Sequence, residues 1–185
     1  MVEDYRGEKM ILLTAQPKTG KTTALMKIIN LLGKENCRGF YTEEIIENGE
    51  RVGFGIATLS GKVGTLSHVR SESKERISKY GVNVDEFENI CVRELEEAIE
   101  DTDTKYIIID EIGPMEVLSE RYRNLLMQLL TSDKPVIGAI FKNPHEWLDE
   151  FKKNDNVNIV ELTMENRDSI PYDIVKMVTT DNKHL

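Results

Sequence analysis

The sequence has 185 residues, 39% of them hydrophobic and 31% charged, and a formal net charge of −9. A chain of this length and composition can bury one core, so we expect a single domain over residues 1–185, and the dispersed charges exclude a long disordered tail. The net negative charge argues against nucleic acid as a partner, because cationic side chains that neutralise phosphates supply most of the affinity in such complexes.

The cysteines and the N-terminus indicate a cytoplasmic protein. Cys37 and Cys91 belong to no disulfide framework or zinc motif, so we expect buried thiols in a reducing compartment. Residues 1–9 are charged, and the apolar stretch after them is too short for a signal peptide or a membrane span. We therefore expect a cytoplasmic monomer without membrane contact.

The first predicted elements are a strand and a helix. The apolar run Met10–Ala15 predicts a buried parallel strand. A helix is predicted from about Lys21, and Gly33 stands where its C-terminal cap belongs. The apolar residues that recur at helical spacing are Leu25, Ile28, Ile29 and Leu32.

An antiparallel hairpin insert, at about residues 43–69, is predicted next. It is indicated by two turn signals, of which Asn-Gly is the strongest known for a hairpin. Its predicted strands are Arg38–Ile46, Arg51–Leu59 and Val63–Val69, and its turns are Asn48–Gly49 and Ser60–Gly61.

A short strand at Tyr80–Val84 precedes a predicted helix over Asp85–Glu100, with Asp85 as its N-cap. We expect the acidic residues Glu94, Glu96 and Glu97, continuing to Asp103, to form the solvated side of this helix. The residues predicted to face inward are Phe87, Ile90, Cys91, Leu95, Ala98 and Ile99.

The rest of the chain alternates between strands and helices. This alternation predicts an α/β domain of three layers, in which helices cover both faces of a mostly parallel sheet. Ligands bind such sheets at the carboxyl ends of the strands. The strands are predicted at Lys105–Asp110, Pro135–Phe141 and Val157–Leu162, and the helices at Ser119–Leu130, Pro144–Lys153 and Asp168–Thr179.

A phosphate-binding loop is predicted between the first strand and the first helix. The P-loop pattern G-x-x-x-x-G-K-[ST] is matched at its end, and Ala15 replaces its first glycine, which implies a backbone conformation open to a residue with a Cβ. The lysine of such a loop reaches the β- and γ-phosphates, and the threonine hydroxyl ligates Mg²⁺, the expected cofactor. The predicted nucleotide-binding residues here are Ala15, Gln16, Pro17, Lys18, Thr19, Gly20, Lys21, Thr22 and Thr23.

A pair of acids ends the strand near residue 110. Such a strand beside a P-loop is a Walker B element, so Asp110 is predicted to hold the metal together with Thr22. Glu111 can accept a proton from an attacking water, which makes Glu111 and Lys21 the predicted catalytic residues. The acid pair also predicts another strand between this one and the P-loop strand. The nucleotide-binding residues predicted in this motif are Ile107, Ile108, Ile109, Asp110, Glu111, Ile112 and Gly113.

With both motifs placed, the chain resembles the THEP-type nucleoside-triphosphatase family over nearly its whole length. The resemblance implies a RecA-like P-loop core with an added hairpin, and slow hydrolysis of ATP, GTP, CTP and UTP with little choice among bases. The chain departs from the family pattern where Ala15 and Lys18 replace glycines. The matching segments are Gly39–Glu44, Gly53–Phe54, Thr58–Gly61, Ile109–Glu116, Pro135–Gly138 and Glu165–Asp168.

Polar residues at other strand ends are weaker candidates. Glu43 and Glu44 either orient a water or the metal shell, or are ordinary hairpin charges. Lys142, followed by Asn143, either senses the γ-phosphate or is a solvated loop lysine. Glu116 is expected to have a structural role, such as capping the helix near Ser119.

Two residues after the last strand lie where related folds place the base. Arg167 is predicted to bind the nucleotide by stacking on the base. The alternative at this position is that Asn166 only caps the turn with its amide.

Two other functions fit the same motifs. A nucleotide or nucleoside kinase shares the P-loop but transfers phosphate to a bound acceptor, and Glu111 and the lack of an arginine-rich lid argue against it. A nucleotide-dependent switch would use hydrolysis as a timer and dock partners through the hairpin insert.

Overall fold

The computed structural model describes residues 10–180, which form one nine-stranded sheet with helices on both faces. The strands are β1 (Met10–Thr14), β2 (Cys37–Glu47), β3 (Glu50–Thr58), β4 (Val63–His68), β5 (Arg76–Ile77), β6 (Tyr80–Val82), β7 (Tyr106–Ile112), β8 (Val136–Ile140) and β9 (Val157–Glu161). The helices are α1 (Lys21–Leu32), α2 (Val84–Phe87), α3 (Arg93–Glu100), α4 (Glu120–Leu129), α5 (Glu146–Phe151) and α6 (Ile170–Thr180). A π-helical turn, Glu88–Val92, joins α2 to α3.

The strand order is β5-β6-β4-β3-β2-β7-β8-β1-β9. The five strands from β2 to β9 in this order pair in parallel, whereas β3, β4, β5 and β6 add an antiparallel extension at one edge. Strand β8 lies between β1 and β7, and Gly138 pairs with Leu12 on one side and with Ile109 on the other. The prediction that a strand separates the P-loop strand from the acid-bearing strand is therefore confirmed, as is the mostly parallel α/β sheet.

Each face of the sheet has its own hydrophobic core, because alternate side chains of β7 point to opposite faces. Ile109 belongs to the cluster beneath α3 and α4, and Ile108 to the cluster beneath α1 and α6. The first cluster is centred on Phe40, Phe87 and Tyr122, whose ring centroids lie between 5.0 and 6.3 Å apart in edge-to-face contacts. Two cores on one sheet give the three layers that the sequence predicts.

The predicted elements agree with the observed ones to within two residues at their ends, with three differences. The two-residue strand β5 is additional, so the antiparallel part continues past the predicted insert to Val82. The helix predicted over Asp85–Glu100 contains the π turn and begins at Val84. Its N-cap is Asn83, and the prediction of Asp85 as the cap is wrong, because Asp85 already lies in the first helical turn.

The expectation of a solvated acidic face on this helix is wrong for Glu94, whose side chain is fully buried. Its carboxylate accepts hydrogen bonds from Arg38 Nε and Nη2, both at 3.1 Å, and from Ser60 Oγ at 2.7 Å. The reason is that α3 packs against β2, which brings an arginine from 56 residues earlier onto the helix. A buried carboxylate held by a guanidinium and a hydroxyl is satisfied, whereas an unpaired one would be costly.

Both cysteines are free and buried, as predicted. Burial raises the pKa of the Cys37 thiol to about 11, and it raises the pKa of Cys91 as well, so neither thiol is reactive at neutral pH. Within residues 10–180, no helix has both the length and the apolar character needed to cross a membrane. The predicted charged N-terminus lies outside the described residues.

The close approach of β8 to β7 depends on Gly138, and substitution of this glycine tests that dependence. A Cβ built on Gly138 would lie 2.2 Å from the carbonyl oxygen of Ile109, so β7 or β8 would have to shift. We expect Gly138→Ala to lower the free energy of unfolding by at least about 2 kcal/mol, measured by urea denaturation.

The matched control is Gly55→Ala in β3, where the nearest atom would lie at an ordinary 3.7 Å. This variant should stay within about 0.5 kcal/mol of the parent. Equal stabilities of the two variants would show that contact between β7 and β8 does not require a glycine.

Candidate active site

The loop between β1 and α1 adopts a conformation that needs left-handed residues. Gly20 has φ 105° and Lys18 has φ 66°, a region that a side chain with a Cβ enters only at a cost of roughly 1 kcal/mol or more. Lys18 thus adopts a left-handed conformation at a position where the sequence pattern expects a glycine. Ala15 is buried and has no positive φ, so the prediction that its position tolerates a Cβ is confirmed.

Side-chain bonds fix this loop in front of the helix. The Thr19 hydroxyl donates to the Gln16 carbonyl at 2.8 Å, which closes the turn from within. Helix α1 begins at Lys21, two residues after Thr19, so its N-terminal N–H groups lie next to the loop. Such an N-terminus favours an anion through its free N–H groups and its dipole.

Asp110 is the centre of a hydrogen-bond cluster at the end of β7. The Thr22 hydroxyl donates to Oδ1 at 3.2 Å, and Thr42 donates to Oδ2 through both its backbone N–H, at 3.0 Å, and its hydroxyl, at 3.2 Å. Burial raises the pKa of Asp110, and these hydrogen bonds together with the charge of Lys21 oppose that shift. The predicted pair Thr22 and Asp110 therefore meets in space.

Sequence reasoning missed Thr42 as a member of this cluster. Parallel pairing of β2 with β7 aligns Phe40 with Ile109, which carries Thr42 to the end of β7. The available signal was the family segment Gly39–Glu44, which contains this residue.

Glu111 forms an ion pair with the P-loop lysine. Its Oε2 lies 3.2 Å from Lys21 Nζ, and both side chains are about a quarter exposed. Burial raises the pKa of Glu111, whereas the adjacent ammonium lowers it. The two predicted catalytic residues, Lys21 and Glu111, are thus in direct contact.

Glu116 is a third, more deeply buried carboxyl group beside this pair. It is 4% exposed and accepts hydrogen bonds from the backbone N–H of Gly113 and from its own. Burial, with the charges of Glu111 and Asp110, raises its pKa to about 8, so it is mostly protonated at pH 7. Its predicted capping role is wrong, because the Ser119 hydroxyl caps α4 by accepting from Tyr122 N–H at 2.9 Å.

A cavity of about 380 Å³ opens beside these groups. Its polar end is formed by the loop and the acids, and its walls by the hairpin insert and the segments after β7 and β8. The lining residues are Ala15, Pro17, Lys21, Thr42, Phe54, Leu66, Ile77, Glu111, Gly113, Pro114, Met115, Glu116, Phe141, Lys142 and Asn143.

The other predicted residues fall into three groups. The side chains of Ile107, Ile108, Ile109 and Ile112 are buried in the two cores, where they hold β7, and their part in nucleotide binding stays a prediction. The second group consists of Gln16, Pro17, Lys18 and Thr23, which are exposed around the loop.

The third group consists of the weaker candidates. Glu44 forms an exposed ion pair with Arg51 at 2.6 Å, and Lys142 pairs with Glu161 at 2.6 Å. The exposed residue Arg167 lies in the turn after β9 and is not among the residues that line the cavity. Because Leu162 N–H donates to the Thr14 carbonyl, this turn leaves the sheet beside the start of the phosphate loop.

The donor set at Asp110 fits a magnesium ion. One carboxylate and one hydroxyl are too few for a metal cage made of protein alone, and residues 10–180 contain no cluster of three or more His, Cys, Asp or Glu side chains suited to a metal. Mg²⁺ usually takes one or two protein ligands and completes its shell with waters and substrate phosphates. Thr22 and Asp110 match that chemistry.

The fold and the site define the class of the protein. In this structure a phosphate loop joins β1 to α1, and the acid-bearing strand β7 is separated from β1 by one other strand, β8. This is the arrangement of the P-loop nucleoside-triphosphatases. The model of the family described as NTPase matches residues 10–175.

Individual proteins give the same result. Nucleoside-triphosphatase THEP1 of Thermotoga sp. (strain RQ2) is 41% identical over 91% of this chain and 94% of its own. The crystal structure of THEP1 from Aquifex aeolicus has a TM-score of 0.79 at 37% identity, covering 91% of this chain and 98% of that one. The solution structure of a human cancer-related nucleoside triphosphatase also has a TM-score of 0.79, at 32% identity. It covers 95% of this chain and 100% of its own. The chain belongs to the THEP1 nucleoside-triphosphatase family.

The protonated state of Glu116 generates a prediction about stability. The folded protein holds a proton on Glu116 up to about pH 8, whereas an unfolded chain releases it near pH 4.3, so this group's stabilising contribution is lost as the pH rises through that window. Glu116→Gln keeps the shape and removes the titration. Relative to the parent, the variant should gain about 2–4 kcal/mol in free energy of unfolding between pH 5 and pH 8.

The measurement is urea denaturation of both proteins at several pH values. Glu120→Gln on the exposed start of α4 is the control, and its stability should follow that of the parent within about 0.5 kcal/mol. A constant difference between Glu116→Gln and the parent across this range would mean that Glu116 is already ionised at pH 5.

Proposed function

We propose that the protein is a Mg²⁺-dependent hydrolase that cleaves the terminal phosphate of nucleoside triphosphates and releases a nucleoside diphosphate and phosphate. The observation that carries this proposal is the meeting of Lys21 and Thr22 with Asp110 and Glu111 across the gap between β1 and β7. Family membership supports nucleoside-triphosphatase activity, and the geometry supports the finer roles.

The phosphate loop would bind the triphosphate through backbone N–H groups and the N-terminus of α1. Lys21 is the cation at the head of this helix, and its ammonium would stabilise negative charge on the β- and γ-phosphates. In the described structure the ammonium is held by Glu111. A bound γ-phosphate would compete for Lys21 and so weaken its contact with Glu111.

Thr22 and Asp110 would hold the magnesium ion, whose chemistry is to bridge phosphate oxygens and neutralise charge that develops during cleavage. The backbone N–H and the hydroxyl of Thr42 keep one carboxylate oxygen of Asp110 in place. The other oxygen, which faces Thr22, is directed towards the loop. Thr42 is therefore a positioning residue for the metal site.

Glu111 would accept the proton of the attacking water. It stands next to Asp110 in sequence but faces the cavity and Lys21, so the metal site does not occupy it. Its exposure of 24% leaves room for a water beside the carboxylate. The water oxygen would attack the γ-phosphorus, its proton would pass to Glu111, and the diphosphate would leave.

The turn after β9 supports broad base specificity. Asn166 accepts a hydrogen bond from Thr163 N–H at 2.7 Å and donates to the Glu161 carbonyl at 2.9 Å, so its amide is occupied in the turn. The exposed Arg167 beside it can stack on any base, because stacking needs only a flat face. The sequence also contains no guanine-reading Asn-Lys-x-Asp motif.

The proposal predicts that Lys21→Ala lowers phosphate release from ATP at least about 100-fold, because it removes the ammonium from the developing charge. The measurement is phosphate release with excess Mg²⁺, and with EDTA as the metal-free reference. Circular dichroism and thermal unfolding establish that the variant is folded.

Lys34→Ala, an exposed lysine just after α1, is the matched control and should remain within about threefold of the parent. Near-normal turnover of folded Lys21→Ala would exclude this loop as the phosphate site. Phosphate release that is unaffected by EDTA would exclude the metal role of Thr22 and Asp110.

A second prediction concerns substrate choice. Because the amide of Asn166 is occupied, kcat/KM for ATP, GTP, CTP and UTP should agree within about tenfold, which corresponds to about 1.4 kcal/mol. Steady-state phosphate release with each triphosphate measures this. A hundredfold preference for one base would require a base-reading contact that the turn does not provide.

A further inference from the structure

The cavity beside Glu111 is larger than hydrolysis requires. A single water has a share of liquid volume of about 30 Å³, whereas small-molecule sites run from roughly 300 to 1,000 Å³. At about 380 Å³ the cavity falls in the second range. Part of this space is beside Lys21 and would receive the terminal phosphate, but the rest extends away from the loop beneath the hairpin insert.

The far walls of the cavity are apolar. Phe54, Leu66 and Ile77 come from β3, β4 and β5 of the antiparallel extension, and Met115 and Phe141 follow β7 and β8. An apolar wall offers nothing to a phosphate or a lone water, whereas it favours the body of an organic molecule.

The apolar wall is also held in place from behind. The ring of Phe54 packs edge-to-face on Tyr80 with centroids 5.5 Å apart, and the Arg51 guanidinium lies 5.0 Å from its centre. Arg51 is itself bonded to the Tyr80 hydroxyl at 3.1 Å. A pre-formed wall of this kind can bind a ligand without ordering new side chains.

The charges around the cavity favour an uncharged ligand. Of its two lining lysines, Lys21 would be taken by the γ-phosphate of the nucleotide, and Lys142 pairs with Glu161 at 2.6 Å. No arginine is among its lining residues in the described structure. With the nucleotide bound, a second phosphorylated ligand would therefore meet no free cation among these lining residues, and it would face the carboxyl group of Glu111.

Polar groups occur where the cavity meets the phosphate site. Glu111 stands at that end, and the polar residue Asn143, which follows β8, also lines the cavity. A ligand whose body rests on the apolar wall would thus present a polar group to Glu111. This is also the position of the attacking water in the hydrolysis proposed above.

We propose that this cavity is an acceptor site for an uncharged, ring-bearing alcohol of nucleoside size, and that the protein transfers the γ-phosphoryl group to the alcohol's hydroxyl. The acceptor's hydroxyl oxygen forms a bond to the γ-phosphorus while the bond from that phosphorus to the β–γ bridging oxygen breaks. The hydroxyl proton passes to Glu111, and the nucleoside diphosphate leaves. The inference rests on the proposed function, because it uses the same nucleotide site and replaces only water. It takes up the kinase alternative, and Glu111 does not exclude that alternative, since a carboxylate placed to accept a proton from water can also accept one from a hydroxyl.

The test offers the common ribonucleosides and deoxyribonucleosides to the full chain with Mg²⁺ and ATP. Nucleoside monophosphate is measured by chromatography, and inorganic phosphate is measured in the same samples. We expect at least one nucleoside to raise ADP formation at least fivefold and to yield monophosphate in equal amount. Phosphate release without any monophosphate would overturn the acceptor site and leave hydrolysis standing, whereas the absence of both products would overturn the proposed function as well.

Variants in the antiparallel extension then locate the acceptor. Ile77→Trp adds bulk to the apolar wall and should lower the ratio of transfer to hydrolysis at least tenfold. Val63→Trp is the matched control, because Val63 lies in the same antiparallel extension but is 74% exposed and lines no part of the cavity, and it should leave the ratio within twofold. An unchanged ratio in Ile77→Trp would place the acceptor elsewhere; if that variant does not fold, Phe54→Ala gives the same comparison by removing the aromatic wall.

Discussion

Asp110 and Glu111 stand side by side at the end of a buried strand, where desolvation disfavours the charge of both. An unpaired carboxylate in such a place costs several kcal/mol or takes up a proton. Here Thr22 and Thr42 donate to Asp110, and Lys21 pairs with Glu111. Because Lys21 and Thr22 belong to the head of α1, the phosphate loop and the acid strand form one electrostatic unit.

The spacing of this unit is set by β8. Adjacent strands lie about 4.8 Å apart, so the strand between β1 and β7 separates their backbones by roughly 10 Å. That gap is wide enough for the Lys21 side chain to extend from α1 and reach Glu111. Gly138 lets β8 fit against the Ile109 carbonyl, so a small residue in the core helps to fix the distance between the loop and the acids.

Lys21 can pair either with Glu111 or with a bound phosphate, so its partner would change when a triphosphate binds. Without a phosphate it neutralises Glu111, and a triphosphate would draw its charge towards the loop. Glu116 stays protonated beside Glu111 at neutral pH, which avoids a third negative charge at the same point. Asp110, held by Thr22 and Thr42, is the carboxyl group suited to the metal, and Glu111, beside Lys21, is the one suited to the nucleophile.

Local patterns were sufficient to predict the phosphate loop, the acid pair and the strand between them. The loop and the acid pair are each recognised from a short stretch of sequence, such as Gly20 to Thr22. The intervening strand follows from the rule that an acid pair at the end of such a strand predicts another strand next to the P-loop strand. The contact of Arg38 with Glu94 could not be predicted, because it joins β2 to a helix 56 residues later. Thr42 was missed for a similar reason, since its role depends on the register of β2 against β7. The apolar wall of the cavity likewise assembles from separate strands of the antiparallel extension and from the segments after β7 and β8.

The role of Glu111 as the base that accepts the proton of the water is tested most directly by a paired measurement on Glu111→Gln. This variant keeps the shape of Glu111 and removes its basic oxygen. Affinity is measured with a fluorescent triphosphate analogue and Mg²⁺, and cleavage by single turnover on the same protein. We predict affinity close to that of the parent and cleavage at least about 100-fold slower. Cleavage within a few-fold of the parent would contradict it, because the proton of the water would then pass to a group other than Glu111.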